Sequence, residues 1–266
     1  MSVAIAGPVG APVTRSDRVT TLLGMVALRQ AWLLAVNDLR QEARDLELIL
    51  TSSFFSLVVL IMLGMSFSAL GVSSQPLAVP GMLWLSVAFV GALTLGRIFT
   101  REREFDTLRA LLVAPVERVS IYLAKAFVTL VILLGCSLIT VLGLTLLFPA
   151  AQPFAQRPMA TAALVLMGCT AYAGVGTLFA AGLASSSGKN VLLSVILYPL
   201  TMPSLLFALV ATRSLLEGHE SFTTYLGQLA ATNVLAFVVG AWLFEPVLVG
   251  VPQKRRGTAR AARRRR

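Results

Sequence analysis

Charge is scarce in this chain of 266 residues: Asp, Glu, Lys and Arg together make up 13%, where soluble domains carry roughly a quarter. Hydrophobic residues make up 57% and the mean hydropathy is +0.83. That much apolar surface excludes an ordinary water-soluble domain. Histidine occurs once, at His219, and cysteine twice, at Cys136 and Cys169. The cysteines lie far apart inside apolar stretches and outside any C-x-x-C or C-x-x-C-H pattern. They read as small buried residues and say nothing about redox compartment.

Acidic residues and histidine are also missing from mid-bilayer positions. Ion-driven transporters keep such groups there although each costs about 2.5 kcal/mol or more, because they carry the coupling ion. Here the acidic residues fall in the N-terminal segment, the loop between the second and third spans, the stretch from Arg213 to Tyr225, and Glu245 beside the last span. Without an internal relay, the driving force for any transport has to come from a partner. The chain has no P-loop of its own either. The nearest match, GLASSSGKN from Gly182 to Asn190, is one residue too long, replaces the Mg²⁺-binding hydroxyl by Asn190, and sits in a turn between spans. An ATPase or other enzyme on this chain is therefore not expected, and no catalytic or metal-binding residues are assigned. The first residues lack a charged stretch followed by an apolar core, so they do not resemble a cleaved signal peptide.

What the sequence does have is apolar stretches of the length that a hydrocarbon layer of about 30 Å requires. They run from Thr51 to Leu70, Val79 to Phe99, Ile121 to Phe148, Met159 to Ala184, Val191 to Thr212 and Tyr225 to Phe244. Breakers lie between them: Gly71 and Pro76, then Pro149, Pro153 and Pro158, then Ser185 to Gly188. With the N-terminus inside, 20 of the 22 Lys and Arg, Lys125 among them, fall in inside segments, leaving only Arg157 and Arg213 outside. The positive-inside rule thus selects N-in and C-in. The expected fold is an all-α membrane protein of six transmembrane helices in the bacterial cytoplasmic (inner) membrane. A flexible extension over 1–22 precedes the membrane domain over 23–250, and a basic tail occupies 251–266. The tail, KRRGTARAARRRR, suits anionic membrane lipid, at about 1 kcal/mol per cation near the surface, and is not read as a nucleic-acid site.

Two amphipathic elements lie beside the spans. Trp32, Val36, Leu39, Ala43, Leu46 and Leu50 recur at alternating intervals of four and three, a single apolar stripe on a helix that runs into the membrane. An interfacial helix is expected there, with Trp32 at headgroup depth. Between the second and third spans, RIFTREREFDTLRALLVAPVERVSIYLAK predicts a short helix from Arg101 to Val113. Phe105, Leu108 and Leu112 share one of its faces, and Pro115 ends it. Such a helix suits a groove on a partner.

At this loop the sequence resembles the permeases of ABC-2 type exporters, whose matching segment carries R-E-x-E, then T-L, then L-L and a proline. Here those are Arg101, Glu102, Glu104, Thr107, Leu108, Leu111, Leu112 and Pro115. The resemblance implies a helix that docks on a separate ATPase, with Arg103, Phe105 and Asp106 in the same contact; Asp106 stands where many relatives carry glycine. PGMLWLSVAFVGALTLGRIFTRERE from Pro80 and YPLTMPSLLFALVA from Tyr198 narrow the likeness to the heme exporter protein B (CcmB) family of cytochrome c maturation. Trp84 and the paired Pro199 and Pro203 are the most telling details. The likeness runs from about Trp32 to Gly250.

This resemblance implies an ABC ATPase subunit (CcmA-like), CcmC-like and CcmD-like membrane proteins, and a periplasmic heme chaperone, CcmE. Heme enters as a ligand that the complex handles and ATP through the partner subunit, while no cofactor is expected on this chain. Either heme crosses this subunit, or ATP use releases the heme-loaded chaperone. Heme iron takes His, Met, Cys or Tyr ligands, and no evident heme site is present, which favours the second route. His219 reads as an exposed loop residue. Competing readings are an ABC-2 permease for a drug, lipid or glycan, and a membrane scaffold that transports nothing.

Two packing features complete the reading. Pro199 and Pro203 each remove a backbone donor, which predicts a kinked fifth span that serves either as a hinge or as a static bend. On the fourth span Ala173, Thr177, Ala181 and Ser185 recur every four residues, near Gly174, Gly176 and Gly182. That face fits close helix packing, within the bundle or against another subunit.

Overall fold

The computed structural model describes residues 15–45, 47–68, 75–98, 118–185 and 191–249. Among them the chain forms α1 (Arg15–Asp45), α2 (Glu47–Ser68), α3 (Gln75–Arg97), α4 (Arg118–Leu147), a 3-10 turn (Pro149–Ala151), a one-turn α5 (Gln152–Gln156), α6 (Pro158–Ser185), α7 (Val191–Glu217) and α8 (Phe222–Val249). Helix is the expected outcome for apolar stretches in lipid, since each backbone group then finds its partner inside its own segment. Five helices are long and apolar enough to cross a membrane, over Leu50–Phe67, Gln75–Arg97, Val119–Leu147, Pro158–Ala181 and Phe222–Phe244. They coincide with five of the six expected spans. The remaining one, Val191 to Thr212, lies within α7, which continues to Glu217.

Some boundaries differ from expectation. Pro76 was expected in a loop but is the second residue of α3, a position where the missing N–H leaves no helical bond unmade. Helix α1 begins at Arg15, inside the stretch 1–22 set apart as an extension. The prolines after α4 form the 3-10 turn and α5, with Phe154 and Ala151 buried beneath.

Burial divides the bundle into inner and outer helices. In α3 and α6, 67% and 61% of the membrane-length window is buried, against 22% in α2 and 17% in α8. Helix α6 packs against α3, α4, α7 and α8. Its small residues make this close approach feasible: Ala173, Thr177 and Ala181 are fully buried, which assigns that face to packing within the bundle. Gly168 lies under the Trp84 indole and Gly176 under Leu95, so a side chain at either would collide with α3. The peripheral helices bury one narrow stripe each. On α2 this is Ser52, Ser56, Leu60 and Gly64, and on α8 it is Leu229, Asn233, Gly240 and Phe244. Phe54, Met62 and Met65 of α2 and Val234, Val238 and Trp242 of α8 face outward.

Helix α1 corrects the sequence reading. The stripe chosen by size is not its packed face: Trp32 and Leu50 are exposed, as is Ala43, while Val36 and Leu39 are partly buried and the Leu46 side chain lies outside the described residues. The packed face carries Ala27, Ala31 and Ala35, followed by Asp38. It lies against α4, where Ser120 Oγ donates to the Ala27 carbonyl at 2.9 Å and the Phe127 and Trp32 rings meet with centroids 5.7 Å apart.

Candidate functional site

The segment singled out for coupling, Arg101, Glu102, Arg103, Glu104, Phe105, Asp106, Thr107, Leu108, Leu111, Leu112 and Pro115, lies outside the described residues. Its two stems are described. The entry stem is the end of α3, closed by Ile98 N–H donating to the Thr94 carbonyl at 3.0 Å. Arg97, the last residue of α3, forms an exposed ion pair with Glu47 at 3.0 Å. The exit stem is the start of α4. There Lys125 Nζ lies 2.8 Å from Asp38 Oδ2, with the side chains 8% and 23% exposed. Both stems are therefore tied to the N-terminal region, one to the first residue of α2 and the other to α1.

Lys125, counted with the inside segments although the expected span Ile121 to Phe148 contains it, belongs to α4. It sits within the membrane-length stretch Val119–Leu147 and is buried. A buried ammonium persists when a carboxylate and further polar contacts compensate its lost hydration. Asp38 supplies the carboxylate, and the alanines of α1 bring the two backbones close enough for a side chain as short as aspartate to reach. Pairing of residues so far apart in the chain leaves no sequence pattern.

Between the stems and the opposite end of the bundle, aromatic side chains fix the inner helices. Trp84 Nε1 of α3 donates to Thr212 Oγ1 of α7 at 2.7 Å, and Thr212 in turn donates to the Ala208 carbonyl at 2.6 Å. Tyr172 Oη of α6 donates to the Ala88 carbonyl of α3 at 2.9 Å, its ring seated against Gly91. Tyr122 Oη of α4 donates to the Gly174 carbonyl at 2.9 Å and packs on Gly240 of α8. Each bond satisfies a polar tip that would otherwise be stranded in an apolar interior. Trp84 stood out in the sequence; both tyrosines were missed.

Of the expected hinge residues, Pro203 is exposed on α7 and the Pro199 side chain lies outside the described residues. The helix continues through both positions. Cys136 and Cys169 are free and buried, and Cys169 Sγ lies 3.3 Å from Ser137 Oγ. His219 lies in the turn after α7, exposed, with Nδ1 3.5 Å from Glu217 Oε2. Gly218, at φ 73°, adopts the left-handed conformation that ends α7, and the His219 N–H closes the motif on the Ser214 carbonyl at 3.0 Å.

Comparison with known proteins adds two findings. Heme exporter protein B of Bradyrhizobium diazoefficiens is 26% identical over 161 residues, which cover 60% of this chain and 71% of that relative. The family described as CcmB protein matches residues 29–248, from α1, through both stems and the segment between them, to the end of α8. On that extent of match, the chain belongs to the CcmB family.

Proposed function

We propose that this chain is the permease subunit of an ABC-type complex required for cytochrome c biogenesis, in which it couples ATP hydrolysis by a separate subunit to heme export or to release of a heme-loaded chaperone. The observation that carries this reading is the family match across residues 29–248. The name of the Bradyrhizobium relative, Heme exporter protein B, supports heme as the handled ligand. Helix α7 supplies the sixth span, Val191 to Thr212, and the Lys and Arg distribution supports an N-in, C-in arrangement in the bacterial inner membrane.

In this scheme an ABC ATPase subunit docks on the segment from Arg101 to Pro115, and α3 and α4 carry its movement into the bundle. Pro199 and Pro203 make α7 the helix that bends, because each lacks a backbone donor. CcmC-like and CcmD-like proteins and the periplasmic chaperone CcmE complete the complex. Lipid contacts the basic tail.

Co-purification tests the docking step. A tagged chain expressed with the whole complex retains the ATPase subunit, and Glu104→Arg, which reverses the charge of the docking segment, lowers the retained ATPase by about tenfold. Undiminished retention in Glu104→Arg contradicts docking at this segment.

A further inference from the structure

Lys125 is, among the described residues, the only charged side chain more than one turn inside any of the five membrane-length stretches Leu50–Phe67, Gln75–Arg97, Val119–Leu147, Pro158–Ala181 and Phe222–Phe244. An ionisable residue at such a place, held by a named partner, is a functional candidate in its own right. Its partner Asp38 lies on the alanine face of α1, and the Ser120 to Ala27 bond adds a second tie between the same two helices. At the other stem, Glu47 holds Arg97. One continuous stretch of chain, α1 and the start of α2, thus contacts both ends of the segment that connects α3 to α4.

We infer that α1 braces the two stems of this segment, and that the Asp38–Lys125 pair is the positioning contact that makes α1 and α4 move together when a push on the segment is carried into α4. The inference rests on the reading of that segment as an ATPase dock. The two ties differ in strength. The Glu47–Arg97 pair is 75% and 46% exposed, so water and salt weaken it. The Asp38–Lys125 pair is shielded on the lysine side and sits on close-packed helices, so breaking it loosens α4 from α1 while the Ser120 to Ala27 bond still joins them.

The test uses the full complex in cells lacking the native gene, with covalently bound heme of c-type cytochromes as output. Output is divided by the amount of chain that co-purifies with the ATPase, which separates coupling from accumulation. Asp38→Asn lowers this ratio by about tenfold, Asp38→Glu retains it, and the exchange of Asp38→Lys with Lys125→Asp restores it. Should Asp38→Asn fail to accumulate, the same ratio is read in Lys125→Gln, which leaves only a carboxylate that retains access to water. An undiminished ratio in these neutral variants, or an exchange variant that assembles without output, overturns the inference. The two failures are distinguishable: a wrong dock leaves Glu104→Arg bound to the ATPase, whereas a wrong brace leaves Glu104→Arg unbound and Asp38→Asn active.

Discussion

Single residues in this bundle matter where a polar tip or a missing side chain lets two helices meet. Trp84 does both: its ring occupies the space above Gly168, and its N–H finds Thr212. Replacing Thr212 by Val keeps the shape but loses the acceptor of the Trp84 N–H, so stability falls by about 1 kcal/mol, read as a lower midpoint temperature of the purified chain in detergent. Gly168→Val places a branched side chain against the indole, and its cost is larger, of the order of 1–3 kcal/mol for overpacking. If Gly168→Val melted later than Thr212→Val, the account of the α3–α6 contact would be wrong. Lys125 shows the limit of reading residues one at a time. Its charge counted it with the inside segments, and the aspartate on α1 helps to explain its place inside a helix.

At the scale of helices, much of the fold was legible. Five spans were placed to within a few residues because twenty apolar residues in a row have few alternatives in lipid. Less visible was which face of each helix meets the protein. Size was a misleading guide on α1, where Trp32 and Leu50 point away while Ala27, Ala31 and Ala35 are buried. In lipid, large apolar residues lose little by facing outward and small ones allow backbones to approach, so the packed face is the one with the smaller side chains. The same logic marked Ala173, Thr177 and Ala181 as a close-packing face, left open between the bundle and another subunit, and all three are buried within the bundle. The proposed movement belongs to α7. Pro203→Ala restores a backbone donor and stiffens that helix, so the account expects lower output of c-type cytochromes with the chain still in the membrane. Unchanged output together with unchanged stimulated ATP hydrolysis would make α7 a static bend.

For the whole molecule, the inner helices α3 and α6 form a buried centre, and the more exposed α2 and α8 flank it with apolar outer faces. The segment most telling in sequence, from Arg101 to Pro115, is the one whose geometry lies outside the described residues, so its role rests on the family and on the stems that hold it. Orientation has its own test. Alkaline phosphatase fused after Gln156 is active outside the cytoplasm, and fused after Val249 it is inactive; the reverse pattern contradicts the N-in, C-in arrangement. The central claim, a permease of the CcmB family required for cytochrome c maturation, is tested most directly by deleting the gene and staining membranes for covalently bound heme. The account predicts loss of all c-type cytochromes with b-type cytochromes intact and recovery on re-expression of the chain, whereas unchanged c-type content would contradict it.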